Sequence, residues 1–83
     1  MPDRKYKIEF TQYSNQNIEI NSNCNAITFI NTSPTLPIFI NNILEIPVGG
    51  SIAIEGNENE IDTTTYNLQV KETCIVLKKL FLN

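Results

Sequence analysis

The fold is decided by the stretch Pro47–Tyr66, PVGGSIAIEGNENEIDTTTY. Gly49-Gly50 is a turn signal, and Ile52 and Ile54 then alternate with Ser51, Ala53 and Glu55. Gly56 opens a polar run, Asn57-Glu58-Asn59-Glu60, after which Ile61 restarts an extended segment that runs to Tyr66. This is strand, acidic loop, strand, with turn residues at the breaks.

The same grammar extends outward. Tyr6, Ile8 and Phe10 alternate with Lys5, Lys7, Glu9 and Thr11, which predicts a first strand. Ser14-Asn15-Gln16 reads as a turn, Asn17–Asn21 as a short second strand, and Asn21–Asn25 as a loop holding Cys24. Ala26–Asn31 is a third strand, ended by Thr32-Ser33-Pro34. Asn41-Asn42 parts two apolar runs inside Leu36–Val48, and Asn tolerates the positive φ of a two-residue type I′ turn. That turn would set Ile40 against Ile43 and Phe39 against Leu44, leaving the hairpin apolar on both faces. Thr63–Val70 and Cys74–Leu82 supply the last strands, and the second of these is apolar at both parities. No segment reads as a helix of useful length. The predicted fold is all-β: a small antiparallel β-sandwich or jelly-roll-like barrel of about seven short strands. It forms one domain over residues 1–83, with 1–5 a flexible or docking arm and 74–83 a C-terminal strand or docking segment.

The chain has 83 residues, and a domain of that size has a thin core. A hairpin apolar on both faces then leaves two readings: one face packs on the core and the other is covered by a loop or terminus, or one face meets another protein chain. The candidate contact residues are Pro37, Ile38, Phe39, Ile40, Asn41 and Asn42, joined by Leu80, Phe81 and Leu82 at the C-terminal end. Pro37 suits an accessible edge strand. Six Lys and Arg against nine Asp and Glu give a net charge of −3, which argues against a nucleic-acid partner. No apolar run approaches the ~18–20 residues of a membrane span, and MPDRKYKIEF lacks the apolar region of a signal peptide. The expected setting is therefore a soluble protein made in a cytoplasm.

Catalytic patterns are missing. The sequence has no His, so the commonest general base and the usual triads are excluded, and no enzyme activity or cofactor is expected. Cys24 and Cys74 lie too far apart, without His, for a zinc site; buried free thiols are the default and a disulfide the alternative. Asn57, Glu58, Glu60 and Asp62 offer oxygen ligands that Ca²⁺ prefers, but not at EF-hand spacing, so a solvated turn is the plainer reading. Tyr6, Tyr13 and Tyr66 could line a sugar-binding face, although strand tyrosines more often pack half-buried.

The order Ile40-Asn41-Asn42, Leu44, Pro47-Val48-Gly49-Gly50-Ser51, Gly56-Asn57, Glu60-Ile61-Asp62, Thr64, Tyr66 resembles small β-sandwich virion proteins of tailed bacteriophages, including crAss-like phages and their relatives. The resemblance spans Ala26–Val70; Cys74–Asn83 is an addition to the pattern. It implies a non-enzymatic structural role in the virion: capsid decoration, auxiliary capsid or head–tail connector association. The implied partners are the major capsid or another virion protein and further copies of the chain, a trimer being one arrangement. The alternative is a carbohydrate-binding or adhesin-like module.

Overall fold

A computed structural model describes residues 3–82 as one six-stranded antiparallel sheet that curls into a sandwich-like half barrel. The strands are β1 (Lys5–Asn21), β2 (Ala26–Asn31), β3 (Ile38–Ile40), β4 (Leu44–Ile46), β5 (Ser51–Glu55) and β6 (Thr65–Leu82). β6 is the central strand. β1 runs along one edge of it from Asn21↔Thr65 to Lys5↔Leu82. β2 and β3 lie end to end along its other edge, and carry β5 and β4 respectively on their far sides. The molecule is elongated, 47 × 21 × 16 Å.

Six strands replace the expected seven or so because two anticipated breaks do not break the chain. Ser14-Asn15-Gln16 is not a turn: β1 continues through it, at a β-bulge in the β1–β6 pairing. Ser14 pairs with Thr73 and Gln16 with Val70, so Lys71 and Glu72 oppose Asn15 alone. Asn15 takes φ 44°, a left-handed conformation that Asn enters more easily than most residues. On the partner strand, the expected Thr63–Val70 and Cys74–Leu82 strands merge through this bulge into β6. Of the anticipated arm, residues 1 and 2 lie outside the described residues, and Lys5 already belongs to β1; residue 83 also lies outside them.

The bulge reverses the facing of β1. Before it, the inward residues are odd: Thr11 opposes Val76 and Tyr13 opposes Cys74. After it they are even: Ile18 opposes Leu68 and Ile20 opposes Tyr66. Since side chains alternate across a strand, setting one β1 residue against two of β6 flips the remainder of β1 to the other side. The concave core gathers Ile20, Ile27, Phe29, Ile38, Ile40, Ile46, Leu68, Val70 and Val76, and Phe29 meets the edge of the Tyr66 ring at a centroid distance of 5.2 Å.

Two buried asparagines bracket β2 and tie loops to it. Asn25 Nδ2 donates to Glu60 O (2.7 Å) and Glu58 O (3.2 Å), while its Oδ1 accepts from Phe81 N (2.8 Å). Asn31 Nδ2 donates to Ile46 O (3.0 Å) and Leu36 O (3.1 Å), while its Oδ1 accepts from Ser33 N (2.9 Å). Each buried amide thus has its own polar atoms satisfied while it pins the backbone of neighbouring segments. The Pro47–Gly50 turn closes with Gly50 N donating to Pro47 O (2.8 Å), and Gly49 at φ 77° supplies the positive φ of a type II turn.

Candidate interaction surface

The β3–β4 hairpin, where contact residues were expected, is mostly turned inward. Asn41 and Asn42 do take positive φ (54° and 57°), and Ile43 N donates to Ile40 O. The register differs from the expected one by a residue: Ile40 pairs with Leu44, Phe39 with Glu45 and Ile38 with Ile46. Ile43 is the extra loop residue and stands 87% exposed. The shift restores alternation, so Ile38, Ile40 and Ile46 face the core while Phe39 and Glu45 face out. The expectation that Ile38 and Ile40 meet another chain is corrected by this packing, because both side chains are buried inside their own chain. Pro37 and Phe39 are half-buried. Asn41 and Asn42 are exposed but tied to β6: Asn41 Oδ1 accepts from Asn67 N (2.7 Å), and Asn42 Oδ1 from Gln69 Nε2. At the far end Leu80 packs against the core, Phe81 is half-buried on the outer face, and Leu82 is exposed.

The unfinished apolar surface lies elsewhere, on the convex face of the β1–β6–β2–β5 half. Cross-strand pairing places Tyr6 beside Phe81, Ile8 beside Lys79 and Ala26, Phe10 beside Leu77 and Thr28, and Ile75 beside Ile30. None of these residues is buried. Phe10 is 72% exposed and Tyr6 55%. The Tyr6 and Phe81 rings pack edge to face at 5.9 Å, with Lys79 Nζ 4.6 Å from the Tyr6 centroid, so one end of the face is ordered by aromatic and cation–π contacts. Lys79 and Glu55 are its charged members. Sequence reading reached Phe81 of this face but missed Tyr6, Ile8 and Phe10, which share parity with Ile18 and Ile20. The available signal was the double-sided apolar pattern of Cys74–Leu82, which puts Ile75, Leu77 and Phe81 opposite to Cys74, Val76 and Leu80.

The acidic loop is built for anchoring. Asp62 Oδ1 accepts from Thr64 N (2.8 Å) and Oδ2 from the Tyr66 hydroxyl (2.7 Å). The Ser22 hydroxyl lies 2.6 Å from Asp62 O and 2.9 Å from Thr64 O. Burial disfavours the ionised Asp62 carboxyl, but the hydrogen bonds from Thr64 and Tyr66 outweigh it and hold its pKa below the usual range. Burial, reinforced by the Asp62 hydrogen bond, raises that of Tyr66. Glu60 Oε1 accepts from Asn57 N (2.8 Å), and Glu58 pairs with Arg4 at 3.3 Å. The Ca²⁺ candidates Asn57, Glu58, Glu60 and Asp62 are thus aimed at separate tasks. Among the described residues no three Asp, Glu or Cys side chains gather around a common metal position. Two clefts adjoin the loop: one of about 240 Å³ between Asn25, Glu55, Glu60, Asp62 and Tyr66, below the ~300–1,000 Å³ of small-molecule sites, and one of about 350 Å³ between Asn57, Glu58, Lys79 and Phe81.

Cys24 and Cys74 are both buried and are not bonded to each other. Burial raises both thiol pKa values, that of Cys74 to about 11, so neither supplies a thiolate at neutral pH. No family model, curated protein or solved structure matches this chain.

Proposed function

We propose that this chain is a non-enzymatic subunit of a larger protein assembly, and that the assembly is a phage virion, as the resemblance of Ala26–Val70 implies. The observation that carries the assembly reading is the convex face of Tyr6, Ile8, Phe10, Ile75 and Leu77, apolar and without a cover among the described residues. Contiguous exposed apolar surface on a small domain marks a place where another protein sits. The virion partner is the major capsid protein or another particle component, and the bound chain is present as more than one copy. Mass spectrometry of purified particles tests the reading. It expects this chain at a fixed ratio to the capsid or tail protein, and its absence from the particles would overturn the virion assignment.

One observation favours a second reading. Tyr6 and Phe10 stand exposed on the same sheet face, an arrangement that also suits stacking against sugar rings. Glycan binding that is lost in both Tyr6→Ala and Phe10→Ala would select the carbohydrate-binding alternative.

A further inference from the structure

We propose that two copies of this chain join edge to edge through the N-terminal half of β1, in one register, with Ile8 opposite Ile8 on a twofold axis. This narrows the assembly reading above to one neighbour, a second copy, and its test is separate from the particle composition test. Among the described residues β1 is paired on one edge only, and it is by far the longest strand with an open edge. Such an edge is a template for another strand. The bulge at Asn15 ends the regular pairing surface, so the usable segment is Lys5–Ser14.

Charge selects the register. In a twofold antiparallel pair, opposite residues share a face, so each register has a central residue that meets its own copy. Centring on Tyr6 sets Lys5 against Lys7. Centring on Glu9 sets that charge against itself, and centring on Lys7 does the same while setting Lys5 against Glu9 twice; like charges directly opposite are unfavourable. Centring on Phe10 or Thr11 makes no charge pair at all. Centring on Ile8 sets Lys7 against Glu9 twice, Ile8 against Ile8, and Tyr6 against Phe10 twice. Charges on an edge strand ordinarily block pairing; here their order favours one arrangement over the rest. That arrangement also covers the two most exposed aromatic side chains of the convex face, Phe10 and Tyr6, with each other. Lys7 and Glu9 are half-exposed neighbours on the inner side (Nζ–Oε2 3.3 Å), free to form a four-charge cluster with the second copy. One strand edge against another is a small contact beside standard complexes, so the dimer is expected to be reversible.

Sedimentation equilibrium from micromolar to millimolar protein tests this. Wild type is expected to pass from monomer to dimer. Lys7→Glu and Glu9→Lys, each alone, turn both charge pairs repulsive and are expected to weaken association about tenfold or more. Mixing the two variants restores opposite charges and is expected to restore the dimer. A wild type that stays monomeric overturns the proposal, as does a dimer indifferent to both variants or not restored by mixing. Should either variant misfold, Ile8→Cys decides: both types of antiparallel pair bring Cα atoms within disulfide range. Mild oxidation should cross-link Ile8→Cys and not Phe10→Cys, while the native cysteines stay buried. The reverse pattern, or no cross-link, overturns the register.

Discussion

The two halves of β1 look alike in sequence and behave oppositely. Tyr6-x-Ile8-x-Phe10 and Ile18-x-Ile20 have the same alternation, yet the first set faces out and the second faces the core. The halves of the sheet to which they belong share one interior and differ outside. Around Ile18 and Ile20 the convex face carries Asn17, Glu19, Asn67, Gln69 and Glu45, with Phe39 the apolar exception. Around Tyr6 and Phe10 it carries Ile75, Leu77, Phe81 and Ile30. One half is finished as a soluble sheet, with polar residues out. The other has apolar residues on both faces, which is how a sheet covered on both sides is composed. A one-residue mismatch, Asn15 alone against Lys71 and Glu72, separates the two.

The sharpest break of this comparison uses the same residue type on the two faces. Phe29→Ala empties a fully buried site that packs on Tyr66 and is expected to cost about 3–5 kcal/mol in urea denaturation. Phe10→Ala in dilute protein is expected to change stability by less than about 0.5 kcal/mol. Similar losses at both positions would mean that the convex face is covered from within. Next in size is Asn31→Leu, which leaves the carbonyls of Ile46 and Leu36 without their donor and is expected to cost about 2–4 kcal/mol. A smaller loss would mean that the joint between β2 and β3 does not depend on this amide. Asn15→Val places a β-branched residue at φ 44° and is expected to cost about 1–2 kcal/mol, whereas Asn15→Gly should be close to neutral. Equal effects would remove the bulge from the account.

The smallest expected effect is acid sensitivity of the acidic loop. Asp62 has a folded pKa below its unfolded value, so its contribution is complete above about pH 4 and is lost as pH falls through the folded value. Asp62→Asn should therefore narrow its stability gap to wild type on going from neutral pH to pH 2. A constant gap would show that the carboxylate charge plays no part.

Much of the fold was legible because turn chemistry is local. Gly49 with its positive φ, the left-handed Asn41 and Asn42, and the polar Asn57–Glu60 loop all lie where their residue types demand. What escaped depends on pairing across distant segments. Nothing near Ser14-Asn15-Gln16 distinguishes a turn from a bulge; the difference lies in Thr73 and Val70 on β6. Nor does the Asn41-Asn42 pair disclose that Ile43 will be looped out, which moves the hairpin by one residue and sends Ile38 and Ile40 inward. Of the candidate surface, Ile38 and Ile40 are lost to this shift. The general inference, more apolar surface than the domain encloses, came from the two-sided patterns in both the hairpin and Cys74–Leu82. The hairpin absorbs its share, and β1 with β6 displays the remainder.

The central claim is that the convex face at Tyr6 and Phe10 is open in the isolated chain. The protein has no Trp, so Phe10→Trp gives a single reporter there. At low concentration, in folded protein, its emission should be red-shifted and readily quenched by acrylamide, and should shift to the blue as association proceeds. A blue-shifted, shielded Trp in the dilute folded monomer would contradict the account.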